Sequence, residues 1–148
     1  MKIIRINEHY LPQLVTVFEE YRAFCDFEAS PKETHEFLAK LMRNEASVMF
    51  IAVDPDSDNV MGFVNLYPSY SSLALKRLWI LNDLGVSSHF RGRNVSKALI
   101  QRVLSFAKET QAIRVELKTG KDNQRAMQLY CAMEFEIDND NVYYRVPC

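Results

Sequence analysis

Three stretches of the chain combine residue types at spacings that suit chemistry. The first is Arg91-Gly92-Arg93-Asn94-Val95-Ser96, which opens a segment where Val95, Ala98, Leu99, Val103, Phe106 and Ala107 recur at helical spacing. A helix start leaves about four backbone N–H groups unpaired, and small residues there let an anion approach them closely. With two arginines added, the joint suits a diphosphate; taken alone it is equally a basic turn that caps a helix. The second stretch is Asn82-Asp83, set inside the otherwise apolar run from Leu78 to Val86. A buried acid is costly without a partner, so Asp83 either hydrogen-bonds the neighbouring hairpin or handles a proton. The third is Asn123-x-x-Ala126-x-x-Leu129-Tyr130-x-x-Met133-Glu134-Phe135, a polar cap followed by an apolar helix face. On that face alone, Tyr130 reads as a core tyrosine.

The remaining segments supply the elements that must hold these groups. Leu78 to Val86 is too short for a free-standing helix and stops at Ser87-Ser88, which predicts a central strand. Lys2 to Ile6 predicts a first strand, and Leu11, Leu14, Val15, Phe18, Tyr21 and Cys25 predict a helix over 8–25, with Pro12 in its first turn. Ser30-Pro31-x-Glu33 starts a second helix that turns Phe37, Leu38 and Leu41 inward. Val48 to Val53 and Val60 to Tyr67 form a hairpin around Asp54-Pro55-Asp56-Ser57-Asp58-Asn59. Tyr67-Pro68-Ser69-Tyr70-Ser71-Ser72 reads as an irregular connection that either shapes a pocket or covers a sheet edge. Ile113, Val115 and Leu117 alternate with charged residues as a later strand. Asp122 or Asn123 caps the next helix. Phe135, Ile137, Val142, Tyr144 and Val146 predict a closing hairpin around residues 138–141.

With 148 residues, 48% hydrophobic and 25% charged, the chain fits a single domain over 1–148 with a real core. It lacks an apolar run of about eighteen residues, and its first five residues read as a strand rather than a signal peptide, so a soluble cytoplasmic protein without membrane contact is expected. Cys25, Cys131 and Cys148 form no CxxC pair and His9, His35 and His89 are scattered, so neither a disulfide framework nor a metal site is expected. The net charge of −1 hides an asymmetry: residues 1–60 hold six Lys/Arg and eleven Asp/Glu, whereas residues 87–125 hold nine and three. Most of these charges are ordinary solvated surface, but the bias also suits a polyanionic cofactor and a cationic acceptor. Nucleic acid is disfavoured, since the basic segment has no clustered aromatics and no binding motif.

Together, Leu84-Gly85-Val86 followed by Arg91 to Ser96, and the later Asn123 to Phe135 segment, resemble the GNAT superfamily of N-acetyltransferases. That family ends a strand in an apolar-x-Val, opens a helix with Arg/Gln-x-x-Gly-x-Gly/Ala, and carries Asn-x-x-Ala-x-x-Leu-Tyr-x-x-x-Gly-Phe further on. Asn94, Ser96 and Glu134 stand where motif glycines are usual. The resemblance covers essentially the whole chain and implies an α/β (α+β type) fold. Its sheet is mixed, mainly antiparallel and twisted, with about six or seven strands flanked by about four helices. The element order is strand, two helices, three strands, helix, strand, helix, two strands.

The resemblance further implies an acetyl-CoA-dependent N-acetyltransferase that acts on a primary amine, small or peptide-borne. Arg91, Gly92, Arg93, Asn94, Val95 and Ser96 would hold the diphosphate of CoA. Leu84, Gly85 and Val86 would offer main-chain contacts where the strand splays from its neighbour, a bulge eased by Gly85. Asn123 either contacts the pantetheine arm or caps its helix. Tyr130 would protonate or hydrogen-bond the CoA sulfur. Asn82 occupies a position where many polyamine-type relatives carry Glu, leaving Asp83 as the base if a bulge redirects it, or as a structural group if not. Asp26, Glu28, Tyr67, Tyr70 and Asn82 are the acceptor-side candidates. A homodimer is the expected assembly. The alternative is a catalytically weak CoA- or acyl-CoA-binding sensor or interaction module.

Overall fold

A computed structural model describes all 148 residues, which form two compact units, Met1–Lys118 and Thr119–Cys148. In the first unit the alternating segments form a five-stranded sheet, β1 (Lys2–Arg5), β2 (Val48–Val53), β3 (Val60–Ser71), β4 (Lys76–Val86) and β5 (Val115–Glu116), in spatial order 1-2-3-4-5. The first three pairings are antiparallel and β4–β5 is parallel. A parallel pair needs a crossover, which α3 (Val95–Glu109) supplies. The two other helices of this unit are α1 (Leu11–Phe24), preceded by a 3-10 turn at Glu8–Tyr10, and α2 (Pro31–Arg43).

Period two along the strands gives each face its own core. Met49, Ile51, Val53 and Phe63 pack with Leu11, Leu14, Val15, Val17 and Phe18 of α1 and Leu38 of α2. On the opposite face Phe50 and Trp79 meet Phe106 of α3, with ring centroids 5.4 and 5.1 Å apart, and the indole N–H of Trp79 donates to Thr110 at 2.8 Å. The α1–α2 connection is stapled by Glu19, whose carboxylate accepts from the Arg22 guanidinium, the Ser30 backbone N–H and the Thr34 hydroxyl. Burial pushes that carboxyl up, but the three donors outweigh it and hold it below the ordinary value.

The second unit holds α4 (Gln124–Ala132), capped by Asn123, whose Oδ1 accepts from the Ala126 N–H at 3.2 Å. Of the two cap positions left open by the sequence, Asn123 is therefore the one used. Ala126, Leu129, Tyr130 and Met133 are the shielded positions of this helix, in keeping with its apolar stripe. Glu134, standing in for a motif glycine, adopts φ 69°, and the Phe135 N–H closes the helix end on the Tyr130 carbonyl at 2.9 Å.

Several expectations need correction. The closing hairpin does not form, so the sheet has five strands rather than six or seven. Its turn is present, because Asp138 accepts from the N–H groups of Asp140 and Asn141. Its flanks form no strand, and Ile137, Val142, Tyr144 and Val146 are 73–87% exposed. Alternation predicts which side chains share a face, but a ladder also needs a second backbone. The strand at residues 113–117 shrinks to Val115–Glu116. The connection over 67–72 is instead regular: β3 runs on to Ser71, paired with Lys76.

Candidate active site

The geometry that matters begins with one extra residue in β4. Asn65 pairs with Asp83 and Leu66 with Leu81, so Asn82 has no partner across the ladder and the register shifts there. Trp79 faces α3, and simple alternation would send Leu81 and Asp83 the same way. The bulge reverses that, because a one-residue slip moves every following side chain to the other face. Asp83 consequently meets α1, where the Tyr21 hydroxyl donates to its Oδ1 at 3.0 Å. Its Oδ2 accepts from the Asn65 amide at 2.9 Å and the Asn82 amide at 3.1 Å. The Asn65 amide is oriented by this contact, since a flipped group would put its oxygen against a carboxylate.

Gly85 makes the approach of α1 feasible. A methyl group there would lie 2.7 Å from Phe63 Cε1 and 3.1 Å from Tyr21 Cβ. Its role is thus close helix-to-strand packing, and the bulge lies at Asn82 rather than at Gly85. Tyr67, on the same face of β3 as Asn65, is half-buried. Burial pushes its phenol up; the Asn65 amide opposes this and the Asp83 charge adds to it.

The structure therefore brings together Tyr67, Asn82 and Asp83 from among the sequence candidates, and adds Tyr21 and Asn65. Asn65 carried a signal, a single amide within the apolar run Val60 to Leu66. Tyr21 carried none, because it reads as one more member of an apolar helix stripe. Tyr70 falls on the opposite face of β3 by alternation, and its hydroxyl accepts from Arg77 at 3.3 Å. Asp26 and Glu28 are exposed in the α1–α2 connection. Asp26, at φ 65°, is the left-handed residue that ends α1.

The basic hexapeptide follows a 3-10 turn at Ser88–Phe90. Glu20 of α1 anchors that turn, accepting from the Ser88 N–H at 2.9 Å and the Ser87 hydroxyl at 3.3 Å. Gly92 and Asn94 then take positive φ, 77° and 59°. Asn94 so adopts the backbone that a motif glycine would, which Asn tolerates better than most residues. Its side chain does not cap α3, and the first-turn N–H groups stay free of it. Arg91, Gly92, Arg93 and Asn94 are exposed, Val95 is buried against the sheet, and Ser96 is half-buried in the first turn of α3. Upstream, β5 pairs only with Trp79 and Ile80, so β4 from Leu81 to Val86 has β3 on one side and no strand on the other. In the second unit, burial pushes the Tyr130 phenol above its ordinary value, and its ring meets Phe135 edge-on at 5.7 Å.

The chain as a whole is similar to known proteins. A model of the acetyltransferase (GNAT) family matches residues 14–135. The chain belongs to the GNAT family. A probable acetyltransferase of Haemophilus influenzae is 34% identical over 86% of both chains. An uncharacterised N-acetyltransferase of Bacillus subtilis, YhfO, is 31% identical over 88% of this chain and 87% of its own. The crystal structure of a probable acetyltransferase, 36% identical, superposes with a TM-score of 0.95, covering 100% of this chain and 98% of the other. As a GNAT protein the chain is an acetyltransferase of mixed α/β fold, and none of its helices is long and apolar enough to cross a membrane.

Proposed function

We propose that this GNAT protein transfers the acetyl group of acetyl-CoA directly to a primary amine, and that Asp83 is the carboxylate that receives the amine's proton. The observation that carries the reading is the bulge at Asn82, which turns Asp83 onto the α1 face of β4. That base lies within the backbone stretch, Leu81 to Val86, that has no second strand partner.

The residues present fit CoA. Arg91, Arg93 and the uncapped N–H groups at the start of α3 suit its diphosphate, with Gly92, Asn94, Val95 and Ser96 giving close backbone access. Leu84, Gly85 and Val86 offer main-chain groups to the pantetheine arm. Acetyl-CoA supplies a thioester whose acyl group moves to nitrogen. Asp83 accepts the proton that makes the amine nucleophilic, with Tyr21 and the two amides fixing its oxygens. Tyr130 donates a hydrogen bond or proton to the departing sulfur. Its burial favours the neutral phenol required for that task. Asn123 spends its side-chain oxygen on the α4 cap, so its contribution to the pantetheine arm comes from the amide nitrogen. Residues 1–148 act as one functional domain in this reading, as a homodimer in the cytoplasm.

The test is release of free thiol from acetyl-CoA on addition of amines from a panel of polyamines, amino sugars, amino acids and peptide N-termini. Amine-dependent thiol release is the expected result. Calorimetric binding of CoA with no thiol release against any amine would replace the transferase by a CoA-binding sensor.

A further inference from the structure

The hydrogen bonds around Asp83 restrict what its carboxylate can hold. A carboxylate oxygen accepts about two hydrogen bonds. Oδ2 already accepts from Asn65 and Asn82, whereas Oδ1 accepts only from Tyr21. One acceptor position therefore remains, on Oδ1. Asn65 is fully buried and Tyr21 is wedged against Phe18 and Phe63, with ring centroids 5.7 and 5.6 Å apart, so neither donor swings aside easily. Asn82 is exposed on the bulge and is the donor that substitution can remove.

We propose that Asp83 accepts a single N–H from the acceptor substrate, and that Asn82 and Asn65 act as specificity residues by occupying the second oxygen. A guanidinium binds a carboxylate best through two parallel N–H bonds, one to each oxygen. Here Oδ2 has no position left, so a guanidinium must either bind through one bond or displace an amide and leave it unpaired. An alkylammonium needs only one bond to Oδ1. The acceptor class is therefore a compact ammonium or amine, and guanidino compounds are discriminated against by the carboxylate's own partners rather than by pocket size.

This inference rests on the reading of Asp83 as the acceptor-binding carboxylate, and the experiment separates the two. Binding of N,N-dimethylbutylammonium, which carries one N–H, and of n-butylguanidinium is measured by calorimetry at neutral pH. The proteins are the native chain, Asn82→Ala and Asp83→Asn. The native protein is expected to prefer the ammonium by about tenfold. Asn82→Ala frees a position on Oδ2 and is expected to erase most of that preference by strengthening the guanidinium, and Asp83→Asn is expected to abolish binding of both. Equal affinities in the native protein, or an unchanged ratio in Asn82→Ala with a native melting temperature, overturns the specificity assignment alone. Ammonium binding that survives Asp83→Asn, or is absent from the native protein at millimolar concentration, overturns the Asp83 reading and this inference with it. Should Asn82→Ala fail to fold, the native ratio still decides.

Discussion

Residues 91–96 take their shape from their own backbone, with Gly92 and Asn94 at positive φ and the first turn of α3 left uncapped by Asn94. Asp83, only a few residues upstream, takes its surroundings from Tyr21 and Asn65, which are 62 and 18 positions away in sequence. In the proposed reading the loop is an anion site because of where a helix starts. The carboxylate is held because two strands and a helix converge on it. Local substitutions should therefore perturb the loop by small, separable amounts, whereas changes around Asp83 should act together.

The largest expected effect tests the carboxylate. Asp83→Asn keeps the shape and removes the charge, and should lower kcat/KM for the amine about a hundredfold or more at neutral pH. Activity should recover as pH rises and free amine becomes abundant. An earlier melting transition with an unchanged pH–rate profile would reduce Asp83 to a structural group.

Next in size is Tyr130→Phe, expected to lower turnover about tenfold or more while leaving the KM for acetyl-CoA near its native value. Burial raises the phenol above its ordinary value of 10.0. The protonated form is therefore retained at every pH below that raised value and lost only as pH climbs through it. Any alkaline decline of kcat due to Tyr130 should accordingly have its midpoint above that of an ordinary tyrosine, and should be absent from the Phe variant. Unchanged turnover where chemistry limits the rate would remove Tyr130 from the mechanism.

For the loop, Arg91→Ala and Arg93→Ala should each raise the KM for acetyl-CoA about tenfold, the scale of a lost charged hydrogen bond. Binding of a pantetheine fragment without phosphates should hardly change. Equal losses for both ligands would show that the arginines hold structure rather than phosphate.

The same contrast explains what was legible in the sequence. The helix start at Val95 and the strand Val48–Val53 stand where the sequence places them, and the cap at Asn123 is one of the two positions it offered, because each is written in a short run of residues. The bulge was not written that way. Gly85 was the conspicuous irregular residue, yet the register slips at Asn82 and the glycine serves packing against Phe63 and Tyr21. The partners of Asp83 came from α1 and β3, and no local pattern links them to it. Residues 137–146 show the opposite failure, since an alternation that promised two strands leaves Ile137, Val142, Tyr144 and Val146 exposed.

Gly85→Ala probes that non-local packing directly. Phe63 is fully buried and its ring lies 4.9 Å from Phe18, so it cannot yield to a methyl group 2.7 Å away. A loss of about 1–3 kcal/mol is expected from overpacking, visible in chemical denaturation. The displaced Tyr21 should also raise the amine KM while the KM for acetyl-CoA stays put. A rise in the acetyl-CoA KM alone would assign Gly85 to the cofactor instead.

The smallest effect belongs to Asn94, and it is the sharpest test of a loop made by its own backbone. Its φ of 59° and ψ of 26° lie in the left-handed region, and its side chain caps nothing. An alanine must hold the same backbone with an unfavourable Cβ contact and should cost about 1 kcal/mol of stability. A glycine relieves that contact but adds freedom to the unfolded chain, and the two effects offset each other. Asn94→Gly should therefore match the native protein in both melting temperature and KM for acetyl-CoA. Asn94→Ala should melt earlier, and any loss of affinity should follow from the distorted turn. If Asn94→Gly instead weakens acetyl-CoA as much as Asn94→Ala does, the asparagine side chain itself contacts the ligand, and the loop is no longer a site built from backbone and arginines alone.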